Sequence, residues 1–498
     1  MSESTTNSSV VDAARRLCDR ALGLALEEDQ RARIIAARDR LDGPLRVAIA
    51  GRIKAGKSTL LNALIGERVA PTDAGECTRI VSWYRQGIRY SVTAQLEDGG
   101  VRPLEFHRNG ELSIELGELR PEEVTRLVID WPSERLTTTT LIDTPGLSSL
   151  DRTVSQRTRD ALAADGHGTP DADAVVYLMR HLHRTDADFL DGFVAGSDMG
   201  ASPVNSIAVL SRADEVGAGR LDAMESARSV ARAYERDGRL SALTSSVVAV
   251  AGLVAETAQT LTEREYVALK SLAGLPDDLV TALLRSVDRV ASYEVDRIEA
   301  ECGVSPEARF ALVERLGLFG VRFAIERIRT GRVTSSGQLA AALLVASGLD
   351  DLRDALDRRI RPRAAVLQAR SALLVLAGVV DELDEHDPDA ARRFARELDE
   401  AASAAHEFTE LRLAHVASSG LTLLGDIDVD RALQLTAPAS LTDRLGLRPD
   451  LDEASRREAV LAEIGHWRTL AANPSHDPLT VEACEIAARC AEGLFVQL

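Results

Sequence analysis

Eight consecutive residues, Gly51-Arg52-Ile53-Lys54-Ala55-Gly56-Lys57-Ser58, constrain this chain more than any other feature. They fit G-x-x-x-x-G-K-[ST], a pattern in which each residue type has a physical task. The glycines let the backbone curl closely enough for its N–H groups to surround phosphate oxygens, and the dipole of a following helix adds to the attraction. Lys57 is expected to reach the β- and γ-phosphates and Ser58 to bind Mg2+ through its hydroxyl, with Thr59 next to them. The pattern works only between a buried strand and a helix. Both are predicted around it: an apolar run at 45–50 before, and a helical stretch at 58–64 after, closed by Gly66.

Later segments supply the remaining parts of a nucleotide site. Asp143-Thr144-Pro145-Gly146 follows a predicted strand at 137–142. Asp143 there can hold Mg2+ through water, and the Gly146 N–H can sense a γ-phosphate. Ser211-Arg212-Ala213-Asp214 follows a strand at 206–210. The Asp214 carboxylate can accept the N1–H and N2–H of guanine, whereas adenine presents an acceptor at N1 and is repelled. Arg212 stands where lysine is usual, and Ser211 where asparagine or threonine is usual; the planar head and stem of Arg212 can still cover a base. Thr78, within 71–78, is expected to close on Mg2+ and the γ-phosphate, with Thr72 as its rival. Ala251 and Gly252, after a strand at 247–250, form the last loop.

Leu147 occupies the place where a water-orienting glutamine often stands, so other groups or a partner must position water. Lys54 is expected to serve as a cation in cis on the transferring phosphate. Lys54, Lys57 and Lys270 are the only lysines, and two of them lie in this one loop.

Around this unit, residues 1–8 are polar and expected to be disordered, and 9–43 carry one helical pattern, at 10–41, ended by Gly43-Pro44. Residues 44–260 alternate strand and helix, with strands also at 79–85, 90–96, 126–131 and 174–179. This predicts a doubly wound, mostly parallel sheet. Residues 261–498 read as helices at 262–300, 305–331, 337–360, 363–383, 388–417, 453–471 and 478–496.

The 498 residues carry 59 basic and 78 acidic side chains, a net charge of −19. That balance opposes a nucleic-acid partner, which needs a positive face to displace counterions. No apolar run approaches the roughly 18 residues that cross a bilayer, and the start lacks the order of a signal peptide. Five scattered cysteines without C-x-x-C fit a reduced, cytoplasmic compartment.

Weaker patterns remain. Arg358, Arg359, Arg361, Arg363 and Arg370, beside apolar 372–380, are a candidate surface for anionic lipid, but read rather as a helix–helix seam. Residues 420–425 offer an apolar insertion loop, or a buried turn. Asp426-Ile427-Asp428-Val429-Asp430 lacks the glycine and glutamate of a calcium loop. His181 and His183 lack partners at metal-ligand spacing.

The strings GRIKAGKSTLLNALIGERVAPTDAGECTRIVSWYR (51–85), LIDTPGLSSL (141–150), LSRADEVGAGRLDAM (210–224), LVERLGLFGVRFAI (312–325) and HWRTLAANPSHDP (466–478) resemble the bacterial dynamin-like GTPases, in particular the isoniazid-inducible dynamin-like proteins of mycolate-bearing actinobacteria. The resemblance implies an α/β P-loop GTPase domain at 44–260 combined with an elongated helical neck and trunk at 261–498, the neck joined by 9–43. It implies GTP as substrate, Mg2+ as cofactor, and low-affinity binding in which Gly51, Lys57, Ser58, Thr78, Asp143, Gly146 and Asp214 hold the nucleotide. It also implies self-association through the GTPase domain, or pairing with a paralogous subunit. The trunk tip would remodel membrane at the inner face of the cytoplasmic membrane. The alternative is a nucleotide-gated partner or scaffold with little catalysis of its own.

Overall fold

The computed structural model of the chain describes residues 7–24, 26–70, 80–108, 112–145, 172–181, 190, 205–236, 240, 243–384, 387–404, 406–418, 422–437, 440–448, 450–496 and 498. The apolar run before the glycine loop forms β1 (Leu45–Gly51). Its neighbours on both sides are parallel to it: β8 (Thr139–Asp143) and β9 (Ala174–Met179). Beyond β9 come β10 (Ser206–Ser211) and β11 (Val247–Val250), again parallel. Strands covered on both faces need apolar residues throughout, which is why AVVYLM and SIAVLS are unbroken buried runs rather than alternating ones.

The other half of the sheet is mixed. β2 (Val81–Gln86) runs antiparallel to β8, and β7 (Val124–Trp131) runs parallel to β2. β3 (Ser91–Leu96) and β4 (Val101–Pro103) finish the edge antiparallel. The full order is β11-β10-β9-β1-β8-β2-β7-β3-β4. A separate hairpin pairs β5 (Glu105–Arg108) with β6 (Leu112–Glu115). These two strands and β4 escape the sequence reading, because three or four residues carry too little alternation to signal a strand. Because β1, β8, β10 and β11 are parallel, the loops after them emerge on the same edge of the sheet.

One face of the sheet packs on the helices Ala223–Glu235, Glu263–Ala273, Pro306–Arg329 and Ser336–Ser347. The other packs on Lys57–Ile65 and on residues from Leu349 to Leu367. The sheet's own core thus runs about a hundred residues past the division expected at 260/261. The helices Glu263–Ala273, Pro306–Arg329 and Ser336–Ser347 share a core with the strands, a placement that helical periodicity cannot reveal. Expected helices are also divided: the pattern at 262–300 forms Glu263–Ala273, Asp277–Leu283, Val287–Ser292 and Val295–Cys302. The pattern at 10–41 forms Asn7–Ala21 and Glu28–Arg40. The pattern at 337–360 is cut at Gly348, whose left-handed backbone sits so close to β11 that a Cβ would stand 2.2 Å from the Ala249 carbonyl oxygen.

Two further hydrophobic clusters are wholly helical. The first joins Asn7–Ala21 and Glu28–Arg40 with Ala364–Asp384 and Pro388–Ala404. The second joins His406–Ser418, Asp426–Leu435, Glu453–Ala471 and Pro478–Val496. Asp173, at the start of β9, stitches the first cluster to the sheet. Its buried carboxylate accepts from Arg40 Nη2 at 2.7 Å, from the Arg46 N–H at 2.9 Å and from Ser371 Oγ at 3.0 Å. Removing one partner of such a buried charge strands the other at a cost of about 3–5 kcal/mol.

Contrary to the expectation, among the described residues one helical stretch, Leu349–Leu383, is long enough to cross a bilayer and holds an apolar 18-residue window of mean hydropathy 1.6. The criterion is length and composition alone, and 61% of that apolar window is buried inside the protein. Val366, Leu373, Leu376 and Val379 are core residues of the first helical cluster. The neighbouring arginines divide: Arg358, Arg359 and Arg361 are exposed with partners in this chain, whereas Arg363 and Arg370 are set deeper, as a helix–helix seam requires. Arg358 pairs with Asp354 and Arg361 with Asp357, both at 2.9 Å. Arg359 bonds the Ser245 carbonyl and Arg363 the Thr436 carbonyl. Arg370 is buried, and burial pulls its pKa down to about 10. Of the candidate insertion loop, 420 and 421 lie outside the described residues. The Leu423 N–H donates to Thr480 Oγ1 at 2.8 Å, but the Leu423 side chain is 61% exposed. The acidic run beginning at Asp426 opens a helix instead of a calcium loop. His183 lies outside the described residues.

Candidate functional site

The loop after β1 has the conformations its glycines permit. Gly51 (φ 146) passes so near β9 that a Cβ would meet the Leu178 carbonyl oxygen at 2.5 Å. Gly56 (φ 95) caps the helix Lys57–Ile65 in the left-handed region, with open space around it, so conformation alone demands glycine there. Lys57 begins that helix and folds back into the loop. Its Nζ donates to the carbonyls of Gly51 and Arg52 at 3.2 and 3.3 Å. Burial lowers its pKa, and the nearby Asp143 charge opposes the shift. The Ser58 hydroxyl donates to Asp143 Oδ2 at 2.9 Å, while Asp143 Oδ1 is buried without a hydrogen-bond partner. Desolvation raises the Asp143 pKa; Lys57 and the Ser58 hydroxyl pull it back.

A hydroxyl and an orphaned carboxylate oxygen side by side are hard oxygen donors, the set that suits Mg2+ when a phosphate supplies the rest. Ser58 and Asp143 therefore fit the ion. Thr144 locks the strand end: its Oγ1 donates to the Ile49 carbonyl at 2.9 Å.

Beside the loop is a cavity of about 150 Å³ lined by Ala55 and Gly56 from the loop, Thr59 from the helix after it, Leu178 and Val209 from the sheet, Ser211, Arg212, Asp214 and Glu215, and Gly252 and Leu253. Ser211 faces the sheet: its hydroxyl donates to the Met179 carbonyl at 3.2 Å. Arg212 Nη2 donates to the Lys54 carbonyl at 3.0 Å, and Nη1 pairs with Glu215 at 2.9 Å. Both residues of that bond are non-glycines in the left-handed region, Lys54 at φ 62 and Arg212 at φ 52. Each such residue costs on the order of 1–3 kcal/mol, and strain of this kind collects at functional sites. Asp214 is 7% exposed, and burial pushes its pKa up to about 6. Glu215 adds to the rise, while Arg212 and Arg180 counter it.

The structure thus brings Gly51, Ala55, Gly56, Lys57, Ser58, Thr59 and Asp143 to one end of the site, and Ser211, Arg212, Asp214 and Gly252 to the other. The Arg52, Ile53 and Lys54 side chains are exposed at the mouth. Ala251 does not line the cavity; its N–H donates to the Ser347 carbonyl at 2.8 Å. Thr72, Thr78, Gly146 and Leu147 lie outside the described residues. Sequence reasoning missed Glu215, Leu253 and Gly317. The last sets its backbone against the base carboxylate, where a Cβ would stand 3.0 Å from Asp214 Oδ2. A glycine inside a helical pattern was the available signal.

The Dynamin family profile matches residues 47–191. A Mycobacterium tuberculosis protein named isoniazid-induced protein IniC is 39% identical over 462 residues, covering 92% of this chain and 91% of that protein. A Nostoc punctiforme protein named bacterial dynamin-like protein is 31% identical over 140 residues, 26% of this chain and 20% of its own length. A solved structure of an oligomerised bacterial dynamin pair aligns over 83% of this chain and 80% of its own at 14% identity, with a TM-score of 0.31. With a relative matched over nine-tenths of both lengths, this chain belongs to the dynamin family, among the relatives of isoniazid-induced protein IniC.

Proposed function

We propose that this protein hydrolyses GTP with Mg2+ at the site around Lys57, and that its helical half converts the nucleotide state into binding and remodelling of the cytoplasmic membrane from its inner face. The observation that carries the reading is the meeting of Lys57, Ser58 and Asp143 beneath the glycine loop, continuous with a cavity that Asp214 lines. The loop N–H groups and Lys57 hold the β- and γ-phosphates. Ser58 and Asp143 would hold Mg2+, which would supply charge neutralisation at those phosphates. Asp214 accepts the two guanine donors, and the Arg212 bond to the Lys54 carbonyl keeps the base loop and the phosphate loop in register.

Thr78 and Gly146, outside the described residues, are assigned to Mg2+ and the γ-phosphate by the sequence alone. Two copies, or one copy and a paralogous subunit, meet over the site. That contact seats the Lys54 ammonium and the attacking water, which Leu147 cannot orient. The Asp173 stitch between β9 and the helices Glu28–Arg40 and Ala364–Asp384 supports transmission of the change out of the sheet. Leu423 and Ile427, 61% and 81% exposed, support apolar contact with lipid at the far helices.

Phosphate release from GTP is to be measured with and without Mg2+, beside co-sedimentation with vesicles of anionic lipid in GTP, GDP and no nucleotide. The reading expects turnover that stops on chelation and sedimentation that follows the nucleotide. Nucleotide-dependent self-association without turnover would instead make the chain a gated scaffold, and the absence of vesicle binding removes the membrane half of the proposal.

A further inference from the structure

We infer that guanine selection is set by the helix Pro306–Arg329 as well as by the loop that carries Asp214, with Gly317 and Arg322 as positioning residues for that carboxylate. The inference rests on reading Asp214 as the acceptor of the base. The loop itself cannot hold a geometry. Arg212, Gly217, Ala218 and Gly219 all have positive φ between 52° and 66°, and Val216 and Gly217 interrupt the one helical turn that starts there. A segment of successive reversals satisfies few of its own backbone groups, so its shape must come from what it packs against.

What it packs against is the helix. Arg322 Nη1 donates to the carbonyls of Ala218 and Gly219 at 2.8 and 2.6 Å, and its Nη2 donates to the Leu284 carbonyl. One guanidinium thereby takes up the carbonyls at the end of the loop. On the opposite side the helix breaks at Gly317, at φ 65 and ψ 174, a backbone state essentially confined to glycine. The break turns the Gly317 backbone onto Asp214. The fit is close in both directions: a Cβ on Gly219 would stand 3.1 Å from the Phe319 nitrogen and 3.2 Å from Leu318 Cβ.

The break is held from within the site. The Arg315 carbonyl beside it accepts from Thr257, which lies on the helix Gly252–Thr260 that opens at the base cavity. Arg315 Nη2 in turn donates to the Thr260 carbonyl at 3.0 Å. Asp214 is thus backed by the Gly317 backbone and lines the cavity; beyond a backbone N–H of its own turn, its carboxylate is left to the donors of a bound base.

Affinities for GTP, ITP and ATP with Mg2+, measured by calorimetry on the full chain, test the inference. Inosine lacks the 2-amino group, so the ratio of GTP to ITP affinity reports how well Asp214 is placed. A purely structural role would not change this ratio. Arg322→Gln and Gly317→Ala are expected to lose GTP affinity about tenfold and ITP affinity only about twofold, with kcat at saturating GTP nearly unchanged. Arg322→Lys, which keeps one donor, should recover part of the ratio. A folded Arg322→Gln that binds GTP as tightly as the native protein overturns the inference, and so does an equal loss for GTP and ITP. Should Gly317→Ala fail to fold, Arg322→Gln still decides. Failure of the underlying reading looks different: the native protein then shows no preference for GTP over ATP, and the inference goes with it.

Discussion

At the phosphate end of the site, the backbone cradle, the ammonium and one of the two oxygen donors for Mg2+ come from eight consecutive residues, 51–58. The second donor, Asp143, comes from the strand beside β1. At the base end, Asp214 stands in the turn that follows β10, is backed by Gly317 a hundred residues later, and shares its rim with Gly252, whose neighbour Ala251 is tied to Ser347. The first end is a local object. Left-handed glycines and a helix start make it almost wherever strand and helix are supplied. The second is an assembled object, and its chemistry depends on how far the helices of 263–347 desolvate one carboxylate. On the proposed reading, binding strength is concentrated where the chain is self-sufficient, and selectivity where it is not.

The largest effect belongs to the local end. Lys57→Ala should abolish detectable nucleotide binding, a loss of at least a hundredfold, or about 3 kcal/mol for a desolvated cation on phosphate. Calorimetry with GTP and Mg2+ reads it directly. Retained affinity would show that the phosphate end does not dominate.

Asp214→Asn sharpens the contrast next. GTP affinity should fall tenfold or more while XTP affinity rises, because xanthine offers a carbonyl where guanine offers an amine and the new amide can donate to it. The same residue predicts a pH dependence. Its carboxyl titrates near 6 in the free protein against 3.8 for the unperturbed group, and only the ionised form accepts from guanine. GTP affinity should therefore decline as pH falls through about 6, with the midpoint shifted lower once GTP is bound.

For stability the sign is the opposite. Between pH 3.8 and about 6 the folded carboxyl keeps a proton that the unfolded one has lost, so native stability falls as pH rises through that window. Asp214→Asn removes this, and should raise stability at pH 7.5 by about 2 kcal/mol, with the gain vanishing below about pH 4. Thermal melts at the two pH values check it; a variant that melts lower at pH 7.5 would show that the carboxylate is not a desolvated burden.

The smallest effect is at the mouth. Lys54→Ala should leave GTP affinity within about twofold but lower turnover about tenfold, since its exposed side chain contributes little to ground-state binding while its backbone carbonyl still holds Arg212. Unchanged turnover at saturating GTP would retire Lys54 as a cation in cis.

Much of this was legible in residue order. Strands expected at 45–50, 174–179, 206–210 and 247–250 stand in the sheet, and the helices at 453–471 and 478–496 match their expected limits. Buried strands and long amphipathic helices write their periodicity into consecutive residues, so local reading suffices. Less legible was the single pattern at 10–41, which hides a turn, and the stretch Leu349–Leu383, whose apolar character comes from packing between helices. For the arginines beside it, residue order favoured a helix–helix seam but could not name the distant partners, the Ser245 carbonyl for Arg359 and the Thr436 carbonyl for Arg363, about 115 and 70 residues away.

Residue order by itself pointed to a glycine loop at 51–58, to Ser58 and Asp143 as oxygen donors and to Asp214 as a base-facing carboxylate, since each is read from a short motif of consecutive residues behind a buried strand. Only the tertiary structure decided how that carboxylate is charged, that the Ala251 N–H is taken by Ser347, and that a break at Gly317 lies behind the base. Desolvation and hydrogen-bond occupancy depend on which distant segments exclude water from a group, and no local pattern carries that information.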